Sequence, residues 1–276
     1  GPPPTGGDVN HGAALNGIVW AFAGLSTLIL CLRYYTRWSL TRNLGWDDAI
    51  MGFSIMLLYI QSSMVSVAIS YGLARHQYYL PLSHVSNVVK WQLLSEPFAI
   101  FGTTVPKIAI TMLLVKIMGP SKHGVIWLWS LNILLNAISI VCLITAFVQC
   151  TPVSAYWTHM GTCWAPQIVA NLAITQGAIS SFTDFALALF PVPIIWNLQM
   201  ALGKKIAVCL LMGLGCFAGI SAIIRTTKLA KLTAQSDYPW ETWTLVLWVA
   251  IETNIIIICA CIPSLRPLFR TWLGKS

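Results

Sequence analysis

Seven long apolar runs constrain the fold of this chain more than any other feature of its sequence. They cover residues 14–33, 47–70, 88–117, 125–148, 168–198, 205–231 and 242–262. About 20 apolar residues in an α-helix cross a bilayer, and a helix satisfies its own backbone hydrogen bonds, so each run predicts a transmembrane helix. The runs and their short loops use nearly all of the 276 residues. We therefore predict an all-α, seven-helix membrane bundle that forms one domain over residues 1–276.

The composition also indicates a polytopic membrane protein. Hydrophobic residues make up 57% of the chain and charged residues 9%, whereas about a quarter of the residues in a soluble domain are charged. The net charge of +8 does not indicate a nucleic-acid partner, because the basic residues occur in ones to threes between apolar runs. The first residues contain no apolar signal core, so the first run is expected to direct its own insertion into the lipid bilayer.

Basic residues outside the apolar cores predict the orientation in the membrane. One side of the predicted bundle has ten of them: Arg33, Arg37, Arg42, Lys116, Lys122, Lys204, Lys205, Arg266, Arg270 and Lys275. The other side has Arg75, Lys90, Lys228 and Lys231. The positive-inside rule then predicts a cytoplasmic C-terminus and a luminal or extracellular N-terminus, in the endoplasmic reticulum or the plasma membrane.

Two of the eight cysteines share a polar loop on the predicted outer side. Cys150 and Cys163 lie between the fourth and fifth runs, and the other six cysteines lie inside apolar runs. Because the outer compartment is oxidising, we predict a Cys150–Cys163 disulfide, with two free thiols as the alternative.

The third run carries polar and charged residues at membrane depth. Gln92, Glu96, Thr103 and Lys107 fall within roughly 60° of one another at a helical period. A charge facing lipid is unfavourable by a few kcal/mol, so this face is expected to look into the bundle. An ionisable residue in such a position is a candidate for function.

The other intramembrane charges can be placed by depth. At about 1.5 Å per residue, Glu252 and Glu96 lie roughly 12–15 Å below the outer ends of their runs, and Arg225 reaches a similar level. Lys107 and Asp184 lie deeper. This predicts two layers: an upper catalytic site of Glu96, Glu252 and Arg225, open toward the lumen, and a lower structural ion pair of Lys107 with Asp184. A direct chemical role for the lower pair is the alternative.

Each upper residue has a chemical and a structural interpretation. Two carboxyls close together in a low dielectric do not both ionise readily, so one could keep its proton and donate it to a ligand, or the pair could only hold helices together. Arg225 could bind an acceptor oxygen or compensate an acid. The residues predicted to line the cavity and bind substrate are Gln92, Thr103, Gln176, Ser180, Ser221, Lys228, Thr244 and Trp248.

The remaining candidates have simpler interpretations. Asp47 and Asp48 follow Gly45 and Trp46 at a predicted helix start, where carboxylates cap free amides. The histidines of the first outer loop have no cysteine or acid at ligand spacing, so no metal site is expected. The chain has no phosphate-binding glycine loop and no nucleophile elbow, so we expect no cofactor.

Several segments carry a resemblance to a known family. They are PPPTGGDVN, RNLGWDDAIM, YGLARH, CTPVSAYW, GTCW, DFALALFPVPIIWNLQM and WVAIETNIIIICACIPSLRPLF, with the region around Lys107. Together they resemble the fungal rhodopsin-domain integral membrane proteins, which include satratoxin-cluster-type and fungus-specific receptor-like proteins. The resemblance implies seven helices with the N-terminus outside. Retinal is not an expected partner, because a Schiff base needs a lysine in the seventh run and Trp243 to Ile262 contain none.

These features support two main hypotheses for function. The first is an enzyme of fungal secondary metabolism that takes a lipophilic, oxygenated small molecule into the cavity and promotes a cyclisation, isomerisation or pericyclic step. The second is a receptor in which the same cavity senses a hydrophobic ligand and a cytoplasmic transducer reads a helix movement. The short cytoplasmic loops offer such a transducer little surface, which favours the enzyme. A passive scaffold or carrier is a third interpretation.

Overall fold

The computed structural model describes residues 7–40, 42, 44–118, 122–158, 160–191, 202–232 and 237–272. In this part of the chain the helices are α1 (Gly12–Tyr35), α2 (Trp46–Ser70), α3 (Leu82–Met118), α4 (Lys122–Val148), α5 (Ala155–Thr158), α6 (Pro166–Leu189), α7 (Leu202–Leu232) and α8 (Tyr238–Trp272). A π-helical turn, Thr36–Leu40, extends α1, and a 3₁₀ turn, Gln77–Tyr79, precedes α3. Two short strands, β1 (Cys150–Thr151) and β2 (Thr162–Cys163), flank α5.

All helices except α5 are long and apolar enough to cross a membrane, which gives seven spans among the described residues. This confirms the predicted all-α, seven-helix membrane bundle. The helices α3 and α8 run past the predicted spans, to Leu82 at one end and Trp272 at the other. Hydropathy marks the hydrocarbon layer and not the end of a helix, so polar residues outside that layer can continue the same helix. The predicted end of the fifth span, 192–198, lies outside the described residues.

The bundle is organised around α3 and α8. In the apolar window of each of these helices 61% of the residues are buried, compared with 28% for α1 and for α7. The central core includes Met51 and Leu58 of α2, Leu114 of α3 and Ile256 of α8. A residue on either central helix therefore meets neighbours from several sides, which is where an intramembrane site is best enclosed.

A disulfide fixes the loop between α4 and α6. Strands β1 and β2 pair antiparallel with Cys150 opposite Cys163, and the two residues form a disulfide bond, as the sequence predicted. Within this loop α5 rests on α3, because Ser86 Oγ donates a hydrogen bond of 2.7 Å to the Trp157 carbonyl oxygen. Lys90 Nζ lies 5.9 Å from the centre of the Trp157 ring. We call this side of the bundle the disulfide end.

The disulfide loop should open when its cross-link is removed. For a loop near this length the cross-link restricts the unfolded chain by an amount worth about 3 kcal/mol. The double variant Cys150→Ser/Cys163→Ser should therefore be cleaved within 151–162 by protease several-fold faster than the wild type. Cys142→Ser, which changes a half-buried free thiol of α4, is the control and should behave like the wild type. Equal cleavage of all three proteins would contradict this expectation.

Three segments meet above the helices at the disulfide end. His76 Nδ1 lies 2.7 Å from Asp237 Oδ2, and the His76 ring stacks on Trp240 at 3.8 Å. Arg75 Nε donates a hydrogen bond of 2.7 Å to Asp8 Oδ1, and this contact lowers the pKa of the Asp8 carboxyl. The segment before α1 and the α2–α3 loop are thereby tied to the start of α8.

Candidate intramembrane site

A continuous chain of polar contacts crosses the middle of the bundle. Arg225 Nε of α7 lies 3.1 Å from Glu252 Oε2 of α8. Ser180 Oγ of α6 donates a hydrogen bond of 3.3 Å to Glu252 Oε1 and accepts one of 2.8 Å from Lys107 Nζ of α3. Lys107 Nζ also lies 2.9 Å from Asp184 Oδ2 of α6. Four helices are therefore joined through five side chains, which we call the central chain.

The central chain is almost entirely shielded from solvent. The residues Lys107, Ser180 and Glu252 are each 0% exposed, and Asp184 is 4% exposed. Transferring each ion from water is unfavourable by several kcal/mol, so the opposite charges must remain in contact for the fold to be stable. Each of the four charged side chains in the central chain has an oppositely charged partner within 3.1 Å.

This arrangement differs from the two separate layers that the sequence suggested. The structure places Lys107 next to Asp184 and Arg225 next to Glu252, and Ser180 connects the two pairs. Ser180 was predicted to line the cavity, but its hydroxyl lies between Lys107 and Glu252. The reason is the rotation of α6, which turns Ser180 and Asp184, one helical turn apart, toward α3.

Glu96 lies beside the central chain without joining it. Its side chain is half-buried and makes no ion pair or hydrogen bond within the described residues. Its charge acts on groups from four other elements: Cys142 of α4, Tyr156 of α5, Arg225 of α7 and Tyr238 of α8. The carboxyl therefore lies within electrostatic range of groups on four other elements of the bundle.

Two side-chain nitrogens, one on α3 and one on α7, are buried hydrogen-bond donors without an acceptor in the described part of the chain. Gln92 is one helical turn from Glu96 on α3, and its Nε2 is buried without a hydrogen bond in the described part of the chain. Arg225 Nη2 is likewise buried and donates no hydrogen bond there. A buried donor left unsatisfied is unfavourable by about 1–3 kcal/mol, so each of these two atoms favours an acceptor oxygen. We call Gln92, Glu96 and Arg225 the Glu96 cleft.

The other residues predicted to line the cavity have varied positions. Thr103 and Ser221 are buried, and their hydroxyls donate to the carbonyls of Ile100 and Ala218 in their own helices. Gln176 donates to Ser139 Oγ of α4 at 3.3 Å. Thr244 and Trp248 are half-buried on α8, whereas Lys228 is exposed. The structure therefore places Lys228 on the surface and satisfies Thr103, Gln176 and Ser221 within the protein.

Two tyrosines at the disulfide end were not predicted from the sequence. Tyr156 of α5 and Tyr238 at the start of α8 hydrogen-bond to each other, and the charge of Glu96 acts on both. Burial raises the pKa of the Tyr156 phenol, and the negative charge of Glu96 raises it further. A tyrosine inside a cystine loop is a weak sequence signal, because its direction depends on how the loop folds back onto the helices.

A second buried ionic group lies at the opposite end of the bundle, around the start of α2. Asp47 Oδ2 lies 2.6 Å from Arg33 Nη2 and 2.7 Å from Arg37 Nη2, and Asp47 Oδ1 lies 2.9 Å from Lys116 Nζ of α3. Asp48 contacts both arginines at 2.8 and 2.9 Å. Arg33 Nη1 also donates a 2.6 Å hydrogen bond to the Ala260 carbonyl of α8.

The helix-cap interpretation describes only part of this group, which we call the Asp47 cluster. Asp48 Oδ2 does accept a 3.0 Å hydrogen bond from the Gly45 amide, as a cap would. Asp47 instead holds cations from α1 and α3 and is 1% exposed. The sequence contains a usable signal for it: Arg33 and Arg37 lie one turn apart at the end of the first run, opposite two acids that begin the second.

Comparison with known proteins relates this sequence to a family. The sequence profile of the fungal rhodopsin domain matches residues 32–271. The chain is 24% identical over 261 residues to the fugralins biosynthesis cluster protein 2 of Gibberella zeae. This alignment covers 90% of this chain and 63% of that protein. It is 21% identical over 273 residues to the polyenoic acids biosynthesis gene cluster protein Ba17b of Metarhizium anisopliae, covering 94% and 74%.

A third relative has a different kind of name. The chain is 22% identical over 251 residues to the receptor GIN3 of Arthrobotrys oligospora, covering 90% of this chain and 60% of the receptor. The chain thus spans less than two thirds of the length of two of these three relatives. No solved structure matches it significantly. Since the family profile covers most of the chain and the fold has seven membrane-spanning helices, this protein belongs to the fungal rhodopsin domain family of multi-pass integral membrane proteins.

Proposed function

We propose that this protein is a membrane-embedded enzyme of fungal secondary metabolism. It would bind a lipophilic, oxygenated metabolite in the Glu96 cleft, reached through a cavity open to the luminal side, and promote a cofactor-independent cyclisation, isomerisation or pericyclic step. In this proposal the N-terminus is luminal or extracellular and the C-terminus cytoplasmic, in the endoplasmic reticulum or the plasma membrane. The observation that carries it is a half-buried carboxyl at membrane depth that makes no ion pair or hydrogen bond among the described residues.

The contacts of the two acids suggest different roles for them. Glu252 forms an ion pair with Arg225 at 3.1 Å and accepts a hydrogen bond from Ser180, so this carboxyl positions Arg225. Glu96 keeps its oxygens available and is the better proton donor or hydrogen-bond catalyst. A well-placed general acid contributes about 10²–10⁴-fold to a rate. Arg225 would orient and polarise an acceptor oxygen of the metabolite, and Trp248 would form part of the apolar wall.

The names of the relatives support a biosynthetic role at a coarse level. Two of them are biosynthesis cluster proteins, and each aligns over at least 90% of this chain. Each of these two alignments includes the region of Glu96 and Arg225 in this chain. The names of the two relatives do not specify a reaction. The reaction class is therefore argued from the cleft alone.

Glu96→Gln should remove catalysis while leaving the fold intact, because Glu96 has no protein partner to lose. The protein is expressed in a heterologous host that is fed a lipophilic extract of a fungal producer strain lacking this protein, and the products are separated by chromatography with mass detection. We expect a product, including one of unchanged mass, that falls at least about 100-fold in the variant. Asp8→Asn, which changes an exposed carboxyl at the disulfide end, should retain full product formation.

Two results would count against this proposal. Full product formation by Glu96→Gln would remove the residue from the mechanism. Equal product formation by cells without the protein would show that the chain is not the catalyst.

A receptor is the second candidate, and the relative named receptor GIN3 favours it. The same cleft would bind the ligand, and α3 would carry the change to the Asp47 cluster through Lys116, where a cytoplasmic transducer would read it. The feeding experiment separates the two functions. Extract that raises the thermal midpoint of the purified protein but yields no product would indicate a receptor.

A further inference from the structure

We propose that the Glu96 cleft selects an uncharged carbonyl oxygen, so that a ketone or ester binds better than a carboxylate or an amine on the same carbon chain. This inference rests on the proposed ligand site and names the chemical class of its ligand. It follows from three observations: the charge balance of the central chain, the unsatisfied donors, and the positions of the surrounding charges.

The charges of the central chain balance one another. Lys107 pairs with Asp184 at 2.9 Å and Arg225 pairs with Glu252 at 3.1 Å, so two cations face two anions. A Glu96 carboxyl that keeps its proton leaves this set neutral. Any net charge on the ligand would therefore remain uncompensated in a low-dielectric site, which is strongly unfavourable.

The hydrogen-bonding groups give the second reason. Gln92 Nε2 and Arg225 Nη2 are donors that need an acceptor, and a protonated Glu96 adds a third donor. A carbonyl oxygen has two lone pairs and no hydrogen, so it can accept from two of these groups at once. An ammonium group is a donor only and would leave both Gln92 and Arg225 unsatisfied.

The surrounding charges exclude both kinds of ion. A ligand ammonium would lie next to the Arg225 guanidinium, whereas a ligand carboxylate that reaches Arg225 would lie next to the Glu252 carboxylate. Like charges at short range in a poorly solvated site repel strongly. A neutral acceptor meets neither repulsion.

Gln92 allows a test that does not disturb the ion pairs. Its amide nitrogen makes no hydrogen bond in the described protein, so Gln92→Leu removes a ligand contact and no protein contact. Gln61→Leu is the matched control, because Gln61 is buried on α2 and its amide oxygen lies near Gly102, more than one helical turn from Glu96 along α3.

The experiment compares three fluorescent probes that share the cis-parinaryl chain. They are the methyl ester, the free acid and the primary amine, titrated at neutral pH into the purified protein in lipid nanodiscs, with protein-free nanodiscs as the baseline. We expect the ester to bind at least about tenfold more tightly than either ion. Gln92→Leu should weaken ester binding about fivefold to tenfold, and Gln61→Leu should not change it.

Tighter binding of the acid or the amine would overturn the inference, as would no binding of the ester or no effect of Gln92→Leu. Its failure can be distinguished from failure of the proposed function. If Glu96→Gln still abolishes product formation while the probes contradict the expected order, the enzyme proposal stands and the inference of an uncharged carbonyl ligand falls. If the probes follow the expected order but Glu96→Gln forms product normally, the ligand class stands and the catalytic proposal falls.

Discussion

Asp47→Asn should destabilise this protein more than any other single change considered above. The substitution keeps the shape of the side chain but removes the charge that Arg33, Arg37 and Lys116 share at 2.6–2.9 Å. Asp48 would then be the carboxylate that still contacts Arg33 and Arg37, and Lys116 would lose its ion pair. Removing one partner from a buried ionic group typically lowers the free energy of unfolding by about 3–5 kcal/mol. The thermal midpoint in detergent should fall by at least about 6 °C.

The control for this prediction is Asp8→Asn, which removes a carboxylate from the exposed pair with Arg75. Exposed pairs contribute little, so its thermal midpoint should stay close to that of the wild type. A midpoint for Asp47→Asn that matches the control would show that Asp48 alone suffices, and that Asp47 is a helix cap and no more.

The second large effect concerns Lys107 and Asp184. Lys107→Met leaves a buried Asp184 carboxylate without its cation, and Asp184→Leu leaves a buried Lys107 ammonium without its anion. Each single variant should lose about 3–5 kcal/mol, whereas the double variant Lys107→Met/Asp184→Leu should recover most of that loss, because it buries no unpaired ion. Thermal unfolding of the four proteins in nanodiscs provides the double-mutant cycle.

Ser180 connects the Lys107–Asp184 pair, which this cycle tests, to Glu252 and Arg225. Its hydroxyl accepts from Lys107 and donates to Glu252, so Lys107→Met should also loosen Glu252 and Arg225. Ser180→Ala breaks this connection without removing a charge and should reproduce a smaller part of the loss. Additive effects of Lys107→Met and Asp184→Leu would show that the pair does not stabilise the fold through its mutual contact.

The sequence was sufficient for the helices and for the face of α3 that carries charge. Burying a charge in lipid is so unfavourable that Glu96 and Lys107 could point only inward, whatever the details of packing. The disulfide followed as directly, since two cysteines shared one loop on the side predicted to be oxidising. The helices, the charged face of α3 and the disulfide depend on the local sequence pattern and on the lipid or aqueous compartment around it.

The connections between helices could not be read in the same way. Ser180 joins the two ion pairs only because α6 has a particular rotation against α3, and a rotation of about 100°, one residue step, would turn it away. The separation of Glu96 from the Arg225–Glu252 pair is also a matter of tertiary geometry. The Asp47 cluster was hidden for a different reason, because a helix cap explained Asp47 and Asp48 without reference to Arg33.

Helix α3 is held by ion pairs on one side of Pro106 and by the contacts of Ser86 and Lys90 with Trp157 on the other. Pro106 directly precedes Lys107, and a proline removes one backbone hydrogen bond from a helix and weakens it locally. The ion pairs of Lys107 and Lys116 lie about 13 Å apart along the axis of α3. They hold the portion of α3 that follows Pro106 at both of its ends. The portion that carries Gln92 and Glu96 has no ionic anchor of its own among the described residues. A bend of α3 at Pro106 would therefore change the width of the Glu96 cleft while both ion pairs remain in place.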